Sequence, residues 1–233
     1  MQISFISIQS SYAEAKLALF RGEICLEKVF KKDDRASSHL IPYIDELLKR
    51  NSLLLSDLAF MAVDKGPGAF TSLRVTITTV NGIGFTKKIP LIGVDGLDAL
   101  SLDFLTQFQE ANLLVAILNA YSNDVYYSIN SREKTLEKGC KKIDKLLDEI
   151  KKKYSGEKIF FTGNGTILHK GLILEALGGC AEIPSQIQET ASAETIGLIA
   201  LKQFNQQSQP VYTIKPNYIK TQLFATRKPL FKK

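Results

Sequence analysis

The chain is poor in the residues that build metal sites and disulfide frameworks, with three cysteines and two histidines in 233 residues. Cys25, Cys140 and Cys180 are widely spaced, and an odd, unpaired set excludes a disulfide framework. A thiolate zinc site is excluded too, because it needs about four clustered ligands. Each cysteine is expected to act as a small buried hydrophobe. His39 and His169 stand far apart with no second ligand at metal spacing, so both are expected to be structural or exposed. No apolar run approaches the roughly 20 residues of a bilayer span. The opening MQISFISIQS lacks the basic and apolar regions of a signal peptide and reads as a strand. The expected compartment is the cytosol. No nucleophile–base constellation supports a peptidase. No low-complexity linker occurs, so any lobes should pack closely.

What is present is ordinary for a globular protein: 45% hydrophobic and 23% charged residues. The length suits two domains and a well-buried core. The net charge is +6, and residues 101–233 hold most of it, ending in the basic tail RKPLFKK. A basic excess attracts RNA phosphates. No basic stretch interleaved with aromatic residues accompanies the charge, so a solubilising surface is the simpler reading.

The first 30 residues alternate in character and predict three short antiparallel strands. A helix follows in DDRASSHLIPYIDELLKRN, where Leu40, Ile41, Ile44, Leu47 and Leu48 recur at helical spacing. Ser37 or Ser38 is its expected cap and Pro42 belongs to its first turn. This apolar stripe suits core packing or a partner-binding face. Asp57–Val63 reads as a buried strand. After the loop KGPGAFTS, the segment LRVTITTVNGIGFTKK has strand propensity, yet Leu73, Ile77, Val80 and Gly84 also share one helical face. PLIGV is a strand and residues 96–110 a helix. NLLVAIL and DVYYSIN repeat the opening run of strands. The boundary between the lobes falls near residue 103, with an N-terminal lobe over 1–102 and a C-terminal lobe over 103–233. KKIDKLLDEIKKK, ILHKGLILEALGG and SAETIGLIALKQF read as helices, and VYTIKPNYIK as extended chain.

GPGAFTSLR is the strongest local signal. Two glycines around a proline make a tight turn, and Thr71 or Ser72 is placed to cap a helix. A glycine turn entering a helix presents free N–H groups to an anion, which makes Gly66, Gly68 and Thr71 candidate phosphate-loop residues. The spacing matches neither a P-loop nor a dinucleotide fingerprint. A plain structural turn is the simpler reading. Gly163–Gly165 forms a weaker second glycine turn. Asp64 and Asp95 each end a strand; for Asp95 helix capping is the simplest role.

VDKGPGAFTSLRVTITTVNGIGF resembles the signature of the TsaB (YeaZ) family, in which a strand runs into GPGSFTGxR and then a helix. IPLIGVDGLDAL, SHLIPYIDELL, LNAYSNDVYYS and KPNYIK resemble further family segments, the last two being similar to D-A-R-x-x-E-V-Y and P-x-Y-x-R. The similarity is clear over residues 36–127. It settles the ambiguous segment after the GPG loop in favour of a helix. It implies an α/β fold of the actin, sugar-kinase and Hsp70 (ASKHA) type, with two lobes, each a mixed sheet flanked by helices. It implies a non-catalytic partner of TsaD, the subunit that transfers threonylcarbamoyl to a tRNA adenosine, with the ATPase TsaE acting on the pair. Any ATP and magnesium would be used by those partners, so no cofactor is expected here, and tRNA would be met indirectly. Pairing with TsaD, or a homodimer, would use the N-lobe helices. The resemblance thus makes Leu40, Ile44, Leu47, Leu48, Leu73, Ile77, Val80 and Gly84 the expected interface. Gly82 and Gly84 would let helices approach closely.

Departures from the family pattern are also visible. The catalytic relative holds its metal with a histidine pair on a first-lobe helix, and residues 96–110 contain no histidine. Gln9 stands where the family has the Asp of its first strand. Ala36, Asn119 and Tyr121 replace family His, Asp and Arg. The alternative, an active ASKHA-type ATP-dependent phosphotransferase, needs a magnesium carboxylate, and Gln9 weighs against it.

Overall fold

The computed structural model describes residues 3–32, 36–206 and 208–220; the basic tail RKPLFKK lies outside them. Three antiparallel strands open the chain: β1 (Ser4–Tyr12), β2 (Glu14–Arg21) and β3 (Ile24–Lys32). α1 (Leu40–Arg50) leads to β4 (Leu58–Asp64), α2 (Phe70–Lys87) to β5 (Leu91–Val94), and α3 (Gly96–Gln107) out of the lobe. β4 and β5 add in parallel, giving a sheet of order β3-β2-β1-β4-β5. The second half repeats the plan with β6 (Leu113–Asn119), β7 (Asp124–Ser131) and β8 (Thr135–Lys142), then α4 (Ile143–Lys153) and β9 (Ile159–Thr162). α5 (Asn164–Leu168), α6 (Lys170–Leu177), β10 (Ala181–Glu182) and α7 (Ala193–Gln206) complete it. Its sheet order, β10-β9-β6-β7-β8, is the same order with each strand replaced by its counterpart.

β1 is central in its sheet and buried on both faces, with Phe5, Ile6 and Ile8 supplying its apolar half. Ile6 and Ile8 meet α1 and α2 on one side. Phe5 faces the other side, where Phe20, Phe60 and Phe204 stack in a ladder with centroids 4.3–4.7 Å apart. That second face is covered by α7, whose Ala193, Ile196 and Ala200 pack against it. α3 turns the opposite way: Ser101 on it bonds Ser128 of β7 at 3.1 Å. The expected boundary at residue 103 therefore falls inside α3, and residues 193–206 and 211–217 return to the first lobe. The lobes exchange a helix each and are not contiguous in sequence.

The segment 208–220 has no regular secondary structure and forms a strap across the molecule. Leu91 N–H donates to Val211 O at 2.7 Å. The Asn81 side chain of α2 exchanges two 2.9 Å hydrogen bonds with the Ile214 backbone. Lys220 reaches the second lobe, donating to Ala120 O at 2.9 Å and pairing with Asp124 at 2.7 Å.

Several local expectations need correction. α1 starts behind a 3₁₀ turn, Ala36–His39, and neither Ser37 nor Ser38 caps it by a side chain. α2 starts at Phe70 behind Ala69, so Thr71 and Ser72 lie inside its first turn and do not cap it. β8 was not foreseen. ILHKGLILEALGG is two helices broken at His169, not one. The three cysteines are free and only partly covered, so they are not the buried hydrophobes expected.

Candidate functional site

Asp64 ends β4 and is 2% exposed. Its Oδ1 accepts the Gly66 N–H at 2.8 Å, which folds the chain into the GPG loop. Gly66 has φ +97°, a left-handed conformation that favours glycine. Beyond a cis Gly66–Pro67 bond, Ala69 N–H donates to Ser11 O at 2.8 Å, tying the loop to the end of β1. Gly96 lies against the same carboxylate: a Cβ there would fall 2.6 Å from Asp64 Oδ1.

Gln9 takes the place next to this carboxylate. Its Nε2 donates to Ser11 Oγ at 2.9 Å and to Asp64 Oδ2 at 3.4 Å. Gln9 Oε1 and Ser10 Oγ are buried without a partner among the described residues. Burial pushes the Asp64 carboxyl up to about 6, with a smaller push from Asp95; the bond from Gly66 opposes it. Asp95 is a helix cap. Its Oδ1 accepts Leu97 N–H at 3.0 Å and Asp98 N–H at 3.2 Å, while Oδ2 meets Asn217 and Lys138.

Of the candidate loop residues Gly66, Gly68 and Thr71, Gly66 bonds Asp64, Gly68 lies against Ser11, and Thr71 is exposed at the start of α2. No Lys or Arg from the loop is paired to Asp64. The second glycine turn is structural: Asn164 in it accepts the Asn119 N–H at 2.8 Å. Asn119 in turn accepts the Tyr121 N–H at 2.8 Å and the Tyr12 hydroxyl at 2.8 Å. His169 is buried, and burial lowers its pKa. Among the described residues no three His, Cys, Asp or Glu side chains converge as a metal site.

Most of the expected interface residues point inward. Leu40, Ile44, Leu47, Leu48, Leu73, Ile77 and Val80 are 0–4% exposed and form the core between α1, α2 and the first sheet. Gly84 faces inward against Leu91 and the Tyr212 carbonyl. Leu40, Leu47, Leu73, Ile77, Val80 and Gly84 are taken up by the fold of the single chain, whereas Ile44 and Leu48 also reach the groove described next. Only Gly82 of the two glycines stands in the open. The exposed apolar surface of α1 and its surroundings is a groove of about 490 Å³ lined by Ile41, Pro42, Ile44, Leu48, Leu54 and Ile83. Ile41 is 59% and Leu54 69% exposed. Ile41 was visible in the sequence stripe. Leu54 carried no periodic signal, because it lies in the turn after α1.

Comparisons with known proteins agree with this architecture. The family model described as TsaD, tRNA N6-adenosine threonylcarbamoyltransferase, matches residues 32–223. The tRNA threonylcarbamoyladenosine biosynthesis protein TsaB of Bacillus subtilis is 22% identical over 94% of both chains. TsaB of Buchnera aphidicola from Acyrthosiphon pisum is 27% identical over 55% of this chain; the match spans only 58% of that relative. A Pseudomonas aeruginosa protein described as similar to peptidase YeaZ superposes with a TM-score of 0.75 at 20% identity, covering 94% of this chain and all of that one. Component A of Acidaminococcus fermentans (R)-2-hydroxyglutaryl-CoA dehydratase follows at a TM-score of 0.50 and 13% identity, covering 86% of this chain and 98% of that chain. The chain belongs to the TsaD, tRNA N6-adenosine threonylcarbamoyltransferase family, on its TsaB/YeaZ branch.

Proposed function

We propose that this chain is a non-catalytic subunit of the machinery that makes threonylcarbamoyladenosine in tRNA, working beside a TsaD-type catalytic protein. The observation that carries the reading is the open apolar groove between α1, the Leu53–Leu55 turn and α2. Exposed apolar surface of this kind marks an interaction site, and it lies on the two helices expected to meet a partner. The surroundings of Asp64 support the same reading: Gly66 N–H and the Gln9 amide each donate to one oxygen of its buried carboxylate, and Gln9 stands where a second carboxylate would help hold magnesium. The partner of the groove is the first lobe of a TsaD-type protein or, in the isolated chain, a second copy. A TsaE-type ATPase acts on the assembled pair, and ATP and magnesium belong to the partners. The deciding experiment is co-purification of the tagged chain with the TsaD-type protein of the same genome. Recovery of a stable pair is expected; absence of a pair at micromolar concentration overturns the reading.

A further inference from the structure

The sequence holds no basic stretch interleaved with aromatic residues, but the fold assembles one from two distant segments. Phe70 and Arg74 lie one turn apart at the start of α2, and Tyr218 comes from the strap. The Arg74 guanidinium carbon sits 3.9 Å from the Phe70 ring centroid and 5.9 Å from that of Tyr218. Arg74 Nε donates to the Tyr218 hydroxyl at 2.9 Å. Phe70 is 37% and Tyr218 49% exposed. Among the described residues Arg74 has no carboxylate partner.

The pattern recurs at the far end of α2. Lys88 Nζ lies 4.5 Å from the Phe85 centroid and 5.8 Å from that of Tyr212, another strap residue. At about 1.5 Å per residue, the two clusters are roughly 22 Å apart along the helix. On this face Arg74 and Lys88 carry the positive charge, and segments 70–88 and 208–220 contain no acidic residue. The carboxylates of other elements that meet the strap, Asp95 and Asp124, are already paired with Lys138 and with Lys142 and Lys220.

We propose that this face of α2 and the strap binds single-stranded RNA. Arg74, held flat by its two rings, offers its remaining N–H groups to a phosphate, and unstacked bases lie on the exposed aromatic surface. A face of rings and cations without carboxylates suits an anion that also has flat π-faces. The proposal rests on the reading above, that the chain serves a tRNA-modifying assembly. It does not compete with the protein groove. At about 100° per residue, Phe70, Arg74 and Phe85 fall within about 60° of the helix circumference, whereas Ile83 in the groove lies roughly 180° from Arg74.

Fluorescence anisotropy tests it, using the full chain with a fluorescein-labelled RNA hairpin bearing a single-stranded loop and a blunt duplex of the same composition. The wild type is expected to prefer the hairpin. Arg74→Ala and the double variant Phe70→Leu/Tyr218→Leu, with melts matching the wild type, should each bind it more weakly by about fivefold to a hundredfold. Arg74→Lys should stay weak, since an ammonium keeps the charge but not the planar fork. Equal affinity of wild type and variants, equal affinity for loop and duplex, or no binding by the wild type overturns the proposal. Co-purification of the variants with the TsaD-type protein is read in parallel. Retained pairing with lost RNA binding supports the proposal; lost pairing with unchanged RNA binding overturns it and gives the face to protein.

Discussion

Asp64 is the residue whose ionisation and position are most closely linked. Its ordinary value is 3.8 and its folded value about 6, so between these values the folded chain holds a proton that the unfolded chain has released. Stability contributed by the neutral form is therefore lost as pH rises from about 4 through about 6. Asp64→Asn keeps the acceptor for Gly66 N–H and removes the buried charge. Its melting temperature should match the wild type near about pH 4 and exceed it near about pH 8, by a gap worth on the order of 1–3 kcal/mol. Scanning fluorimetry across that range checks this, and an Asn variant less stable than the wild type at the higher pH would count against it. The same arrangement leaves no free carboxylate acceptor for magnesium at Gln9. Titration calorimetry with ATP and magnesium should show no micromolar binding to the isolated chain; tight binding would restore the phosphotransferase reading. The departure at Gln9 was legible in the sequence. Its contacts with Ser11 and Asp64 were not, because they join residues from β1 and β4.

At the scale of elements, α1 shows how much a periodic pattern contains. The spacing of Leu40, Ile44, Leu47 and Leu48 established a helix with an apolar stripe, and the helix is there. It did not say what covers the stripe. The first sheet and α2 cover it, so the neighbouring Leu40 and Ile41 have opposite fates: 0% and 59% exposed. Leu40→Asp buries a charge without a partner and should unfold the chain or lower its melting temperature sharply. Ile41→Glu with Leu54→Glu should leave the melt within a few degrees and abolish co-purification with the TsaD-type protein. A charged groove that still retains the partner would sink the interface assignment. β8 escaped the sequence reading for a different reason. TLEKGCKK lies at a sheet edge with both faces at least partly wet, so it has no apolar alternation to detect.

The whole molecule is a duplicated strand–helix plan in which each half lends a helix to the other. Repetition of the strand runs after residue 110 was legible, because the second half again opens on short apolar runs separated by polar turns. The exchange of α3 and α7 was not, since an apolar helix face is equally satisfied by either sheet. The strap adds a second tie across the lobes, from Asn81 and Leu91 to Lys220 and Asp124. Asn81→Ala removes both bonds to Ile214 and should cost about 1–3 kcal/mol in urea denaturation. Amide exchange at Ile214 should quicken at the same time; unchanged exchange would show that the strap is held by its other contacts alone. By itself the sequence determined most element types, the repeated run of strands and the GPG turn, because these depend on local periodicity and motif, and its resemblance to a family added α2 and the two-lobed plan. Only the tertiary structure decided which apolar residues stay outside, which acceptors around Asp64 are taken, and that Phe70, Arg74 and Tyr218 meet. Those outcomes depend on which distant segments share a surface, and no local pattern encodes that.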